Sequence, residues 1–228
     1  MVTDLPVVAV DGPAGSGKSS VCRGVARRLG LRYLDTGAMY RAATWAVLQA
    51  GIDVTDSDAV ATFSQSLNIE SGTDPFAPTI HVNGQDVSDP IREDDVTASV
   101  SAVSAIPGVR AGLVQRQRDE VMAATAAGQG IVVEGRDITS VVLPHAHVKV
   151  YITASAEVRA QRRAAQDHDR GAGERDVEAT KAELISRDTK DSSRAVSPLT
   201  IAPDAVVVDT SDLDLEQSIV AVCALVVP

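Results

Sequence analysis

Short apolar runs alternate with longer amphipathic segments along this chain. The runs are rich in β-branched residues, which favours strands that are buried on both faces of a sheet. Strands that alternate with helices form parallel sheets with right-handed crossovers. The pattern therefore predicts an α/β fold, with a five-stranded parallel sheet flanked by helices. The predicted strands are 7–10, 31–34, 131–134, 148–152 and 205–209.

The amphipathic segments predict the helices that cover this sheet. In the first of them, Val21, Cys22, Val25 and Leu29 form one apolar stripe, and arginines occupy the opposite side. Gly30 follows directly, where a left-handed helix cap is expected. The predicted helices are 20–29, 38–50, 109–127 and 213–227.

Two segments interrupt the alternation of strands and helices. Residues 53–107 contain short alternating runs, and Asn83-Gly84 is a strong hairpin-turn signal, which predicts a small antiparallel insert. Residues 155–194 carry nine basic and nine acidic side chains around Gly171-Ala172-Gly173. We expect this second segment to bury little and to form a helical lid that hinges at the glycines.

Composition limits the classes of partner. The 228 residues carry a net charge of −10, which argues against nucleic-acid polymers and anionic membranes. However, 17 of the 21 basic residues are arginine, whose planar fork of donors fits phosphate. A GC-rich genome would give the same count, so only the positions of the arginines can decide between the two explanations.

The cysteines and the apolar runs bear on location and assembly. Cys22 and Cys223 lie in apolar helical patterns, which indicates buried free thiols in a reducing compartment. The N-terminus lacks the pattern of a secretory signal, and the longest apolar run, 219–228, is too short to span a membrane. We therefore expect a cytoplasmic protein. The apolar stripes are used by the core, which favours a monomer.

The sequence GPAGSGKS, residues 12–19, follows the first strand and precedes the first helix. It matches the phosphate-binding loop (P-loop) pattern G-x-x-x-x-G-K-[ST]. Glycines let successive N–H groups turn toward one anion, and the helix N-terminus adds partial positive charge. Lys18 is expected to contact the β- and γ-phosphates, and Ser19 to bind Mg²⁺. The predicted ATP-binding residues are Gly12, Pro13, Ala14, Gly15, Ser16, Gly17, Lys18, Ser19 and Ser20.

Segments with glycine and charged residues also follow the other strands of the predicted sheet. They occupy 35–41 and 135–137, and the lid follows the fourth strand. Ligands of doubly wound sheets bind beyond the carboxyl ends of the strands, so we expect these residues to converge on one crevice. The D-x-x-G and N-K-x-D motifs of GTPase switches are missing from the sequence.

A small kinase needs a second anion site for its acceptor and a means to exclude water. The arginines Arg41, Arg110, Arg136, Arg187 and Arg194 are candidates for that site, and Arg159, Arg162 and Arg163 are candidates for closing it. An arginine cluster without an obvious catalytic base suits an acceptor that is already an ionised phosphate.

Structural explanations compete with these assignments. Arg136 and Asp137 could pair with each other, and the charged residues at 187, 188, 191 and 194 could pair along a solvated helix face. We expect His145 and His147 to face solvent rather than bind a metal, and Trp45 to belong to the core.

Four motifs carry a family resemblance. GPAGSGKS, DTGAMYR at 35–41, EGRD at 134–137 followed by ITSVV, and RDTKDSSRAVSPL at 187–199 together resemble bacterial cytidylate kinases over essentially the whole chain. Glu134 departs from the pattern, because many members have Asp there. The resemblance implies a P-loop NTPase core at 1–37, 108–154 and 195–228, a nucleoside monophosphate (NMP)-binding region at 38–107 and a lid at 155–194.

The resemblance also implies an activity and residue roles. The activity is transfer of the ATP γ-phosphate to CMP or dCMP with Mg²⁺, without a nucleic-acid polymer or a membrane as partner. The catalytic residues it implies are Lys18, Arg136, Arg162, Arg187 and Arg194. It implies Thr36, Arg41, Arg136 and Arg194 for the acceptor phosphate, Ser101, Arg110 and Asp137 for the base, Arg187 and Asp191 for the ribose, and Ser19 for the metal, with Asp35 as a second candidate.

The alternatives are a kinase for another small metabolite, of the shikimate or gluconate type, and a non-enzymatic module that senses nucleotides. The long insert and the two arginine-rich ends argue against the first alternative. An assay of ADP release with several acceptors distinguishes all three.

Overall fold

A computed structural model describes residues 5–169, 176–194 and 196–227. Its strands form a five-stranded parallel sheet and a three-stranded antiparallel sheet, which confirms the predicted fold class. The strands are β1 (Val7–Asp11), β2 (Arg32–Asp35), β3 (Ile69–Ser71), β4 (Ile80–Val82), β5 (Gln85–Asp86), β6 (Ile131–Gly135), β7 (Val148–Thr153) and β8 (Val206–Asp209).

Helices occupy the segments between these strands. Short turns of 3-10 helix (Pro90–Arg92) and π-helix (Ile138–Val142) accompany them. The helices are α1 (Lys18–Leu29), α2 (Thr36–Gln49), α3 (Ser57–Ser66), α4 (Asp94–Val103), α5 (Pro107–Ala126), α6 (Ala156–Asp169), α7 (Val177–Ser192) and α8 (Leu215–Val226).

The parallel sheet has the strand order β2-β6-β1-β7-β8. Its central strand β1 pairs with β6 on one side and with β7 on the other, and Val8, Ala9 and Val10 are fully buried. Alternate residues of the strands face opposite layers. One layer packs against α2, α5 and the insert, and the other against α1 and α8. Both faces of the sheet are therefore covered, as the short Val-rich strands predict.

The insert contains the predicted hairpin. Asn83 and Gly84 join β4 to β5 with φ angles of 51° and 82°, the left-handed pair that a type I′ turn requires. The sequence analysis missed α3 and α4 in this region. In α4, Val96, Val100 and Val103 recur at spacings of four and three and are buried, so helical periodicity was available as a signal.

The lid segment buries few of its side chains, as expected: among its described residues, the buried ones are Arg159, Ala160, Thr180, Leu184 and Asp191. The two lid helices, α6 and α7, pack together, and Ala160 and Leu184 form a small apolar cluster with Ala14 of the P-loop. Among the charged residues of the segment, Arg159 and Asp191 are buried. The charge count did not indicate that these two would be buried; Arg159 pairs with Asp188, and Asp191 pairs with Arg136 and Arg194. The proposed hinge at residues 171–173 lies outside the described residues.

The structure also describes the two cysteines, the two histidines and the tryptophan that the sequence analysis assigned. Cys22 is buried and free, whereas Cys223 is free and only partly buried, at the edge of the apolar cluster that contains Cys22. His145 and His147 are exposed, and Trp45 packs against the core.

In the described ranges no single helix is long and apolar enough to cross a membrane. Only α4 and α5 taken together, across a 99° bend, reach that length and composition.

Candidate active site

A cleft of about 1460 Å³ lies at the carboxyl edge of the parallel sheet. The P-loop forms one wall, and the ends of β2 and β6 form its floor. Residues of α2, α4, α7 and the loop after β8 complete it. The location agrees with the expectation for a doubly wound sheet, where loops at the strand ends meet.

The P-loop conformation depends on its glycines. Gly17 has φ of 83° immediately before α1, which begins at Lys18. At Gly12, a Cβ atom would lie 2.0 Å from the backbone oxygen of Ile152, so a larger residue would collide with β7. Glycine at these two positions therefore lets the loop curl tightly between β1 and the helix N-terminus, where backbone N–H groups favour an anion.

Lys18 is buried at this loop, and its Nζ donates a hydrogen bond to the backbone oxygen of Pro13 (3.0 Å). Burial and the nearby Arg136 guanidinium lower the pKa of Lys18 to about 8. Two cations therefore share a poorly solvated region, where a bound polyphosphate would supply the missing negative charge.

Glu134, at the end of β6, is a site residue that the sequence analysis treated only as a family departure. Its Oε2 accepts a hydrogen bond from Ser19 Oγ (3.0 Å), and its Oε1 accepts one from the Tyr33 hydroxyl. Burial and the neighbouring Asp35 carboxylate raise the pKa of Glu134 to about 7. The sequence did offer a signal: an acidic residue at the carboxyl end of a core strand is a candidate for the cleft.

The oxygen atoms near Ser19 fit a magnesium ion bound with a nucleotide. Mg²⁺ prefers oxygen ligands and takes one or two carboxylates together with phosphate oxygens. Ser19 and Glu134 supply such oxygens, whereas Asp35 Oδ1 caps α2 by accepting from the Ala38 backbone N–H (3.0 Å). Among the described residues no group of three or more His, Cys, Asp or Glu could hold a metal alone. The ion would therefore need the nucleotide as a further ligand.

Asp191 joins two of the predicted acceptor arginines. Arg136 Nε donates to Asp191 Oδ2 (3.1 Å), and Arg194 Nη2 donates to Asp191 Oδ1 (2.5 Å). Arg194 also donates to Ser104 Oγ (3.0 Å). Because Asp191 is only 2% exposed, the alternative of a solvated helix face is wrong for this residue.

Positive charge is concentrated at the other predicted acceptor arginines. Arg41 donates to the Ile91 carbonyl (3.1 Å) and to Thr97 Oγ1 (2.9 Å). Burial and the nearby Arg187 lower the pKa of Arg41 to about 9. Burial and Arg136 likewise lower the pKa of Arg187 to about 10. An anion in this part of the cleft would relieve the repulsion between these cations.

Arg110 and Asp137 form a buried ion pair in the cleft wall. The Arg110 guanidinium also donates to the Ser104 carbonyl (3.2 Å) and lies 5.4 Å from the centroid of the Tyr40 ring. Asp137 therefore pairs with Arg110 rather than with its neighbour Arg136. Together these side chains offer one acceptor group and one donor group beside the arginine cluster.

Thr36 and Ser101 line the same cleft. Thr36 begins α2, and its Oγ1 donates to the backbone oxygen of Glu134 (2.7 Å), which fixes the hydroxyl between β2 and β6. Ser101 lies on α4, where it is partly buried.

The lid arginines differ in their contacts. Arg162 lines the cleft, where it donates to the carbonyl oxygens of Thr210 (2.7 Å) and Leu213 (3.2 Å). Arg163 also lines the cleft. Arg159 is not in the cleft wall; it donates to the Ala14 carbonyl (3.0 Å) and pairs with Asp188.

Gly12, Pro13 and the lid candidate Arg159 do not line this cleft, whereas all of the other predicted site residues do. The sequence analysis missed Ser104, which contacts both Arg110 and Arg194. It also missed Thr210, which contacts Arg162. Thr210 directly follows β8, and the P-loop likewise follows β1, so its place at the end of a strand could have indicated a site residue.

The doubly wound sheet and the P-loop define a P-loop NTPase fold. Among solved structures, a sugar kinase of Janibacter sp. HTCC2649 aligns over 98% of this chain and 96% of its own, with a TM-score of 0.50 and 17% identity. An uncharacterised protein from Eubacterium ventriosum covers 98% of both chains, with a TM-score of 0.54 and 9% identity. At such identities, these likenesses describe the fold alone.

Sequence comparison is more specific. The family model for cytidylate kinase matches residues 8–227. A cytidylate kinase of Streptomyces avermitilis is 54% identical over 96% of this chain and 92% of its own, and one of Nocardia farcinica is 56% identical over 96% and 93%. The chain therefore belongs to the cytidylate kinase family.

Proposed function

We propose that this protein transfers the γ-phosphoryl group of ATP to CMP or dCMP. A phosphate oxygen of the acceptor attacks the γ-phosphorus, the bond to the β–γ bridging oxygen breaks, and ADP leaves with that oxygen. The observation that carries the proposal is the presence of two anion-binding regions in one cleft: the amide-lined P-loop and the arginine cluster of Arg41, Arg136 and Arg194.

The donor would bind at the P-loop. Residues 12–20 would surround its phosphates, with the buried ammonium group of Lys18 beside the β- and γ-phosphates. Mg²⁺, held by the nucleotide together with Ser19 and Glu134, would neutralise phosphate charge. Arg162 would border the donor site, because it connects the first lid helix to the loop after β8.

The acceptor phosphate would bind at Thr36, Arg41, Arg136 and Arg194. Its oxygen is already ionised at neutral pH, so the reaction needs no general base. Catalysis then depends on alignment of the two phosphates and on positive charge around the transferring group. Arg136, Arg187 and Arg194 would supply that charge, and burial of the cluster strengthens each interaction.

The cytosine base would bind beside the Arg110–Asp137 pair. A carboxylate accepts a hydrogen bond from the cytosine N4 amino group, and an arginine can donate to N3 and O2. Ser101 would complete this contact, and Arg187 and Asp191 would bind the ribose. Uracil carries O4 in place of the amino group and would face the Asp137 carboxylate with an acceptor, so UMP is expected to be a poor substrate.

The lid at 155–194 would close over the donor and exclude water, because water would otherwise accept the phosphoryl group. The region 38–107 would carry the acceptor, while 1–37, 108–154 and 195–228 form the core. We further expect the enzyme to act as a monomer in the cytoplasm, where ATP and nucleoside monophosphates are present, without a nucleic-acid or membrane partner.

A coupled assay of ADP release tests the proposal. Purified protein with ATP and Mg²⁺ is offered CMP, dCMP, UMP, AMP and shikimate in parallel, with a sample without acceptor and a sample with EDTA as controls. We expect rapid release with CMP and dCMP, and a rate with UMP that is lower by up to about 10⁴-fold. Preference for shikimate would support the metabolite-kinase alternative. A lack of release with every acceptor would support a nucleotide sensor.

A further inference from the structure

Tyr33 has a position that its role in the core does not explain. Its side chain lies in the apolar layer between the sheet and α1, and the residue is only 2% exposed. The hydroxyl nevertheless donates a hydrogen bond to Glu134 Oε1 at the floor of the cleft. A phenylalanine would fill the same apolar space, so the hydroxyl group itself requires a separate explanation.

The sheet register brings the two side chains together. Tyr33 on β2 pairs with Val132 on β6, and Glu134 lies two residues further along β6. Residues separated by two share a face of a strand, so Tyr33, Val132 and Glu134 face the same layer. The long tyrosine side chain then spans two residue positions along the sheet, one step on this face, to reach the carboxylate.

The second carboxylate oxygen of Glu134 faces the P-loop. Glu134 Oε2 accepts from Ser19 Oγ (3.0 Å), and Ser19 is the second residue of α1, directly after Lys18. The two oxygens of Glu134 therefore have different partners: Oε1 is held from the core side by Tyr33, and Oε2 is presented to the side where metal and phosphates would bind.

We propose that Tyr33 is a positioning residue for phosphoryl transfer, whose hydroxyl holds Glu134 so that Oε2 is oriented toward the metal–nucleotide complex. A glutamate has three side-chain torsions and would otherwise sample several rotamers in the cleft. Groups that hydrogen-bond a metal-ligating carboxylate orient it, and removal of such a group typically lowers metal affinity or activity about 10- to 100-fold.

Tyr33→Phe tests this role, because it removes one oxygen atom and keeps the ring. Binding of Mn²⁺ in the presence of a non-hydrolysable ATP analogue, followed by electron paramagnetic resonance, gives a readout that does not depend on turnover. We expect the Mn²⁺ dissociation constant to rise about tenfold and kcat to fall by a similar factor. The KM for CMP is expected to stay within about twofold of the wild-type value, since the acceptor site is unchanged.

Two controls separate positioning from packing. Tyr151→Phe removes a hydroxyl from a partly buried tyrosine on β7 and is expected to leave Mn²⁺ binding unchanged. In a double-mutant cycle with Glu134→Gln, Tyr33→Phe is expected to add little, because its effect passes through the carboxylate. The proposal would be overturned if Tyr33→Phe bound Mn²⁺ with wild-type affinity. It would also be overturned if the fold-changes in Mn²⁺ affinity caused by Tyr33→Phe and Glu134→Gln multiplied in the double variant.

A crystal structure of the wild-type protein with Mn²⁺ and the ATP analogue gives a test that does not depend on the stability of the variant. We expect the Tyr33–Glu134 hydrogen bond to persist with Oε2 turned toward the ion, and a broken bond would contradict the inference. The inference rests on the proposed use of ATP but not on the acceptor. A wild-type protein that binds metal and nucleotide without phosphorylating CMP would refute the proposed function alone.

Discussion

Arg159 and Asp188 form an ion pair that attaches both lid helices to the P-loop. Arg159, on α6, donates to the backbone oxygen of Ala14 (3.0 Å), and Asp188, on α7, accepts from the backbone N–H of the same residue (3.2 Å). A third hydrogen bond joins Arg159 to the Ala154 carbonyl (3.1 Å). Each lid helix therefore contacts the P-loop through one member of the pair.

Asp188→Ala should weaken both the lid and the loop. The substitution leaves the Arg159 side chain, which is only 9% exposed, without its carboxylate partner. Removal of one member of a largely buried pair is costly, and we expect the free energy of unfolding to fall by about 3 kcal/mol. Urea denaturation measures this loss, and the KM for ATP is expected to rise because the loop loses a support.

Lys181→Met is the matched control for this pair. Lys181 and Glu157 also join α7 to α6, but the Glu157 side chain is 62% exposed. Exposed pairs contribute little to stability, so this variant should unfold like the wild type. Equal losses of stability in the two variants would show that the Arg159–Asp188 pair has no special role.

Asp137→Asn should change the choice of pyrimidine base. An asparagine amide can donate a hydrogen bond, so it would tolerate the O4 atom of uracil where the carboxylate does not. We expect kcat/KM for CMP to fall about 100-fold or more, and the ratio of UMP to CMP turnover to rise. Steady-state kinetics with both acceptors, together with a thermal unfolding curve, measures this change.

Asp191→Asn provides the comparison for base selection. It removes a buried carboxylate from the same cleft, between Arg136 and Arg194, but away from the proposed base contact. We expect it to slow CMP and UMP turnover by similar factors. An unchanged UMP to CMP ratio in Asp137→Asn would mean that this residue does not read the N4 amino group.

Local patterns were sufficient to predict the fold and the location of the cleft. The P-loop follows β1 within the chain, and Asn83-Gly84 encodes its own turn, so neither depends on distant residues. Parallel topology then places the ends of β1, β2 and β6 at one edge. The start of α2 was less predictable, because Asp35 caps the helix two residues earlier than the apolar periodicity indicates.

Pairing between distant residues was not predictable from these patterns. Arg136 meets Asp191 across 55 positions, and Arg159 meets Asp188 across 29. Composition describes such residues only as charged and therefore suggests exposure, whereas tertiary pairing buries them. The family resemblance supplied candidate roles for the cleft arginines, but it gave no reason to consider Ser104, whose contact with Arg194 spans 90 positions of the chain.

Arg187→Met should stabilise the free protein while it weakens acceptor binding. Burial and Arg136 lower the pKa of Arg187, which means that the folded protein disfavours the charged guanidinium. Its Nε atom has no hydrogen-bond partner in the described ranges. Removal of this charge is expected to raise the free energy of unfolding by about 1 kcal/mol. Urea denaturation without nucleotides measures the gain, and the KM for CMP is expected to rise.

An exposed arginine serves as the comparison for this trade-off. Arg28, on α1, pairs with Glu216 at the surface, so Arg28→Met should give neither a gain in stability nor a change in KM. A less stable Arg187→Met protein with a normal KM for CMP would contradict the idea that Arg187 is held in the cleft for a ligand.

Lys18→Met should abolish most phosphoryl transfer in a protein that remains folded. The Lys18 side chain makes its hydrogen bond to a nearby carbonyl of the same loop, and burial already disfavours its charge, so methionine is expected to be tolerated structurally. Loss of a charge directed at the transferring phosphoryl group should lower kcat about 10²- to 10³-fold or more. Lys149→Met is the control, because Lys149 pairs with Asp204 outside the cleft. Coupled assays of ADP release with CMP, together with circular dichroism, measure both quantities, and substantial turnover by folded Lys18→Met would show that the P-loop lysine is dispensable.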